Sequence, residues 1–175
     1  FSTGHGFLRE PNDIASYSAL ACIAIQSNQN DQHGGQSIPC FDYALADGVR
    51  KTYAKKYREN LSKALEFSAE ATEGIALKVH GVVKDIAARL QLRPEIANAN
   101  GYVEEETRLL SADFEPKLLK KAQAFAREQA LKEVDRLTFQ AMEALIHNLN
   151  TMHSRAGAQV PFSSINYGTD ISTEG

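Results

Sequence analysis

The chain has 175 residues, enough for one domain with a core of its own. Apolar residues make up 43%, charged residues 23%, and the net charge is -3, which gives no electrostatic case for nucleic acid or an anionic membrane surface. No apolar run approaches the roughly 20 residues of a membrane span, and two cysteines, Cys22 and Cys40, are too few for a disulfide framework, so a cytoplasmic origin is expected.

Composition divides the chain into three zones. Residues 1–40 are poor in charge and rich in Gly, Ser, Asn and Gln. Residues 41–150 carry nearly all the charged side chains, and residues 151–175 are again light in charge. The opening Phe1-Ser2-Thr3-Gly4-His5-Gly6 has no Met, no basic start and no apolar core of a signal peptide. It reads as a cut within a longer chain, so an internal piece of a larger protein is expected.

In the first zone Pro11 can begin a helix that Asn12 or Asp13 caps. Ile14, Tyr17 or Ser18, Ala21 and Ile25 fall at helical spacing. Small residues (Ala15, Ala19, Ala21, Ala24) suit burial on most sides. The run from Gln29 to Ser37 reads as a polar loop, since Gly34-Gly35 cannot continue a helix.

The second zone reads as amphipathic helices. Asp47 can cap one in which Val49, Tyr53, Tyr57, Leu61, Ala64 and Leu65 share a face. Val79, Val82, Val83, Ile86 and Leu90 mark another, closed by Arg93-Pro94. Asn98 to Gly101 is a turn. Pro116 suits the first turn of the longest helix, over about 117–150. Its expected face holds Leu118, Ala122, Phe125, Leu131, Val134, Thr138, Met142, Leu145 and Leu149. Such helices must bury that face on each other or on a second subunit. In the third zone Gln159 to Tyr167 alternates, with Val160, Phe162, Ser164 and Asn166 on one side. Pro161 limits it to a strand start or an edge. A lone strand is unstable and needs neighbours, which this sequence is not expected to contain. The fold class expected is mainly α, a helical bundle with one or two strands.

Three constellations could carry function. Asn148, Asn150, His153, Ser154 and Arg155 end the long helix, and Ser163, Ser164, Asn166 and Thr169 follow. Hydroxyls, amides and a guanidinium suit ribose and phosphate; the plainer alternative is helix capping by Asn150 with Arg155 on the surface. In the loop, Gln29, Asn30, Asp31, Gln32 and Gln36 could read a base edge, with Gly34 and Gly35 opening the backbone to a ligand, or the loop is an ordinary polar one. Arg50, Lys51, Lys55, Lys56 and Arg58 are either a solvated helix face or a grip for a triphosphate. The five histidines show no metal spacing, so no metal site is expected. Cys22 reads as core packing, and Cys40 has no base placed beside it.

Two segments resemble a known family. The first is Gly4-His5-Gly6-Phe7-Leu8-Arg9 with Pro11-Asn12, then Gln29 through Pro39 and Phe41-Asp42-Tyr43. The second is Asn148 through Met152, Ser154 through Gln159, and Pro161 through Asp170. Together they are similar to the anaerobic, oxygen-sensitive (class III) ribonucleoside-triphosphate reductases. The resemblance covers both ends closely and the charged helices loosely; residues 67–115 match nothing recognisable.

The resemblance implies a parent with a ten-stranded α/β barrel and a glycyl radical near its C-terminus. That radical oxidises a cysteine to a thiyl, which abstracts the ribose 3' hydrogen, with formate as the usual reductant. A radical S-adenosylmethionine enzyme activates it, and a structural zinc lies near the C-terminus. It further implies a homodimer whose interface helices bind deoxynucleotide or ATP effectors that set substrate choice. Carried onto this chain, residues 1–40 belong to the barrel's opening and residues 41–150 to the dimerisation and effector region, with the basic set at the effector phosphates. Residues 151–175 are a barrel strand and following loop, with Asn150, Ser154, Arg155, Ser163, Ser164 and Asn166 at the substrate. The loop from Gln29 to Ser37 lies between effector and substrate. The reactive cysteines, radical glycine and zinc ligands would all lie outside these residues, so none here is assigned a catalytic role, and the fragment alone is expected to be inactive. A non-catalytic helical interaction module is the competing expectation.

Overall fold

The computed structural model describes residues 9–31, 34–68, 74–151 and 162–175. In chain order these form α1 (Ile14–Asp31), β1 (Gln36–Ile38), α2 (Phe41–Ser68), α3 (Ile75–Leu90), α4 (Tyr102–Leu110), α5 (Pro116–Thr151) and β2 (Ser163–Ile165). The fold is mainly helical, as expected, with one small parallel sheet among the described residues.

Asp13 begins α1. Its carboxylate accepts from the Ser16 N–H at 2.9 Å and the Ser16 hydroxyl at 2.7 Å, satisfying a donor that a helix start leaves open. The Ile14 N–H is taken by Thr52 Oγ1 of α2 at 2.9 Å. Ile14, Ser18, Cys22, Ile25 and Gln29 are buried along one stripe. Ser18 donates to the Ala141 carbonyl of α5 at 2.9 Å. The helix runs on to Asp31, so Gln29 belongs to α1 and not to the loop. No breaker precedes Gly34, whose φ of 104° does end helical geometry.

Helix α2 starts at Phe41 and not at Asp47. Cys40, at φ 53°, turns the chain after Pro39, and its carbonyl accepts the Ala44 N–H at 3.0 Å. From there Phe41, Leu45, Val49, Tyr53, Tyr57, Leu61 and Leu65 are all buried. This strict four-residue ridge packs mainly on α5.

The buried face of α5 is displaced from the expected one. Leu119, Ala122, Ala126, Ala130, Val134, Ala141 and Leu145 are buried, whereas Phe125 is 47% exposed and Leu118 half-buried. Alanines at four-residue spacing let α2 and its tyrosines approach closely. Close backbone approach thus selects the small side chains over the bulky ones.

Helix α4 was not expected. Gly101, at φ 79°, precedes it, and Tyr102, Glu106 and Leu110 are its buried stripe. One buried position is a carboxylate, which breaks the apolar period.

The strand β2 does have a neighbour. It pairs in parallel with β1, in the register Gln36 to Ser163, Ser37 to Ser164 and Ile38 to Ile165. Three residues are too few for β1 to display a strand period.

Candidate functional site

The strand pair is the natural centre. Gln36 N–H donates to the Phe162 carbonyl at 2.9 Å, Asn166 N–H to the Ile38 carbonyl at 3.1 Å, and Phe41 N–H to the Asn166 carbonyl at 2.8 Å. Side chains alternate across a strand. Ser163 and Ile165 turn to the helices, where they share a 220 Å³ cleft with Leu145, Ile146, Leu149 and Asn150. Ser37 and Ser164 are exposed neighbours in register, on the face away from the helices. The expected substrate residues are therefore divided. Asn150 and Ser163 meet in the cleft, Ser164 lies on the open face, and Asn166 is exposed just past the strand. Ser154 and Arg155 lie outside the described residues. Ser37 was not singled out by sequence, and only its register with Ser164 brings it in.

In the loop, Gly34 is open, with no described residue within 4 Å of its Cβ position. At Gly35 the corresponding position lies 2.9 Å from the Phe162 ring, so this backbone is approached by an aromatic side chain from β2's approach. Gln36 is buried, and its amide nitrogen has no hydrogen-bond partner among the described residues. Gln32 and the side chains of Asn30 and Asp31 lie outside the description.

The basic set on α2 is largely engaged. Lys51 pairs with Glu10 and Asp47, and also donates to the Pro11 carbonyl at 3.2 Å and to Tyr17. These partners hold its ammonium above the usual range, Glu10 most strongly. The Tyr17 hydroxyl donates to Asp47. Lys56 bridges Glu59 at 2.9 Å and Glu133 at 3.2 Å. Arg50 reaches Asp47 at 3.6 Å and Glu174 at 3.7 Å. Arg58 lies 3.2 Å from the His80 ring nitrogen. Lys51, Lys55 and Arg58, spaced at i, i+4 and i+7, share one face of α2; Arg50 and Lys56 lie off it.

Two groups that sequence reading passed over are prominent. Asp42, in the first turn of α2, binds the segment after β2 by four hydrogen bonds. Those bonds, led by the Asp170 N–H, hold its carboxyl far below the ordinary carboxylate range. Glu106 is fully buried and accepts from Tyr57 at 2.7 Å, Tyr102 at 2.9 Å and Gln123 at 3.0 Å. Burial raises its carboxyl, against the lowering by these donors, and also pushes the phenols of Tyr57 and Tyr102 up. Only long-range contacts reveal either role.

The family model described as NRDD, anaerobic ribonucleoside-triphosphate reductase, matches residues 1–175. The chain belongs to that family. No curated protein matches it. Membership implies that the parent is a ribonucleotide reductase of the glycyl radical kind, and it places both motif-bearing ends and the unfamiliar helices between them within one reductase sequence. Among the described residues no cluster of His, Cys, Asp and Glu could hold a metal ion, and no helix is long and apolar enough to cross a membrane. Cys22 is buried and burial raises its thiol, while Cys40 is exposed with no base hydrogen-bonded to it among the described residues.

Proposed function

We propose that this chain is the part of an anaerobic ribonucleoside-triphosphate reductase that joins effector binding to the substrate strand. The observation that carries the reading is the family match over residues 1–175, together with the parallel pairing of β1 and β2 at the two ends of the helical set. In this reading β1 and β2 are neighbouring strands of a barrel. The helices cover one face, and the open face with Ser37 and Ser164 turns to the ribonucleotide. Ser37 and Ser164 on that face, with Asn166 just past the strand, bind and orient the ribose and phosphates, Ser154 and Arg155 contribute to the same task, and Asn150 and Ser163 back the strand from the helix side. The glycyl radical of the parent supplies hydrogen-atom abstraction at the ribose, with formate as reductant.

Residues 41–150 form the dimerisation and effector-binding region, and Lys51, Lys55 and Arg58 face the effector phosphates. Arg50 and Lys56 support that face from beside it. The segment holding Gln29, Asn30, Asp31, Gln32, Gly34, Gly35 and Gln36 lies between effector and substrate. The parent works as a cytoplasmic homodimer, reduces ribonucleoside triphosphates to deoxyribonucleoside triphosphates, and is charged by a radical S-adenosylmethionine enzyme. Calorimetry of the full-length protein with dATP, dGTP and dTTP tests the effector reading. Saturable binding of at least one is expected; a folded dimer that binds none of them removes it.

A further inference from the structure

Helix α2 and the segment after β2 are fastened together at the carboxyl ends of both strands. The Phe41 N–H donates to the Asn166 carbonyl at 2.8 Å. Asp42 Oδ2 accepts three successive backbone N–H groups, from Gly168 at 2.6 Å, Thr169 at 2.8 Å and Asp170 at 2.9 Å. Asp42 Oδ1 accepts the Thr169 hydroxyl at 2.9 Å. Further along α2, Arg50 reaches Glu174. Gly168, at φ 88°, supplies the turn that lets consecutive N–H groups converge on one oxygen.

Two physical points follow. Hydrogen bonds to an ionised carboxylate are the strong kind, and here they grip backbone, so they set the shape of residues 168–170 whatever the side chains do. In parallel sheets ligands are met at the carboxyl ends of the strands, which is where this fastening lies. Asn166 and Thr169 ride on the fastened segment.

We propose that Asp42 is a positioning residue that holds the loop after β2 in the register of α2, so that a shift of α2 on effector binding alters how Asn166 and Thr169 meet a ribonucleotide. This rests on the reading of α2 as the effector helix.

The test uses the full-length activated enzyme as wild type, Asp42→Ala and Asp42→Asn, with ribonucleotide kinetics, dNTP calorimetry and a thermal melt on each. The expected result for Asp42→Ala is a KM raised by about fivefold or more, at the low end of ordinary coupling. The dNTP affinity stays within about twofold, and the effector-driven change in KM is largely lost. Asn keeps one carbonyl acceptor for the N–H groups but loses the charge, so its effector response should fall between those of wild type and Asp42→Ala while its melt stays unchanged, which a purely structural defect would not predict. Unchanged KM and unchanged effector response in Asp42→Ala overturn the proposal. If that variant does not fold, Asp42→Asn decides: a weakened response with an intact melt supports the proposal, and a full response overturns it. A wild type that binds no dNTP removes the effector reading and this inference together. A responsive wild type with equally responsive variants removes the inference alone.

Discussion

Gly48 of α2 lies directly under Tyr17 of α1: a Cβ at Gly48 would meet Tyr17 Cδ2 at 2.9 Å, Cγ at 3.0 Å and Cβ at 3.1 Å. The atoms met include the root of the ring and not just its tip, so Tyr17 cannot swing clear without moving α1. This contact also seats the Tyr17 hydroxyl against Asp47 and Lys51. Gly48→Ala gains about 1 kcal/mol of helix propensity, yet overpacking of this kind costs about 1–3 kcal/mol. A net loss of roughly 1 kcal/mol is expected in the full-length protein, read as a lower urea midpoint. A raised midpoint would show that α1 yields freely.

Glu106 gives a pH signature. Its folded-state value lies above the ordinary 4.5, so between those values the folded chain binds a proton that the unfolded chain has released. The stabilisation is complete below 4.5 and declines as pH rises through the folded value. Glu106→Gln keeps the shape and an acceptor, and should flatten this part of the stability–pH curve. Glu106→Leu strips the acceptor from Tyr57, Tyr102 and Gln123 and should cost about 3 kcal/mol. Equal pH slopes in wild type and Glu106→Gln would place the titration elsewhere.

Lys51 and Lys55 should separate cleanly. Lys51 is held by Glu10, Asp47 and Tyr17, so Lys51→Ala should lower stability by about 1 kcal/mol, less in high salt. Lys55 is exposed. Lys55→Ala should leave the melt alone and weaken dNTP binding by about tenfold, the value of one charge-assisted contact. Unchanged affinity in Lys55→Ala takes that side chain out of the effector site.

The adjacent glycines should respond in opposite order to their free space. Gly34 has room but stands at φ 104°, so Gly34→Ala should cost about 1–2 kcal/mol of backbone strain. At Gly35 the obstacle is the Phe162 ring, which is largely exposed and can turn aside. Gly35→Ala should cost less than about 1 kcal/mol. Chemical denaturation of both variants ranks them, and the reverse order would contradict the geometry.

Elements with long apolar periods were legible in the sequence. Val79 and Ile86 marked α3, and the ridge from Val49 to Leu65 marked most of α2. The rest depended on forces that leave no local pattern. Bulky Leu118 and Phe125 drew attention from Ala126 and Ala130, although close helix packing favours the small side chains. Glu106 hid α4, because a buried carboxylate reads as a surface residue until its three donors are seen. Of the site, Asn150, Ser163 and Ser164 could be proposed from residue type. Ser37 and Asp42 could not, since both depend on partners more than a hundred positions away.

The parallel pairing of β1 with β2 also closes a long loop of chain. The Asp42–Asp170 hydrogen bond spans 128 positions, and every helix from α2 to α5 lies inside that loop. Contacts of such separation carry the heaviest closure entropy and depend least on local propensity. Packing of α2 against α5 brings the start of one and the end of the other together, which shortens the closure that remains for the sheet. The sheet is left with three residues to zip on each side. During synthesis the two strands cannot meet until β2 has left the ribosome, so β1 waits for its partner while α2 to α5 are made.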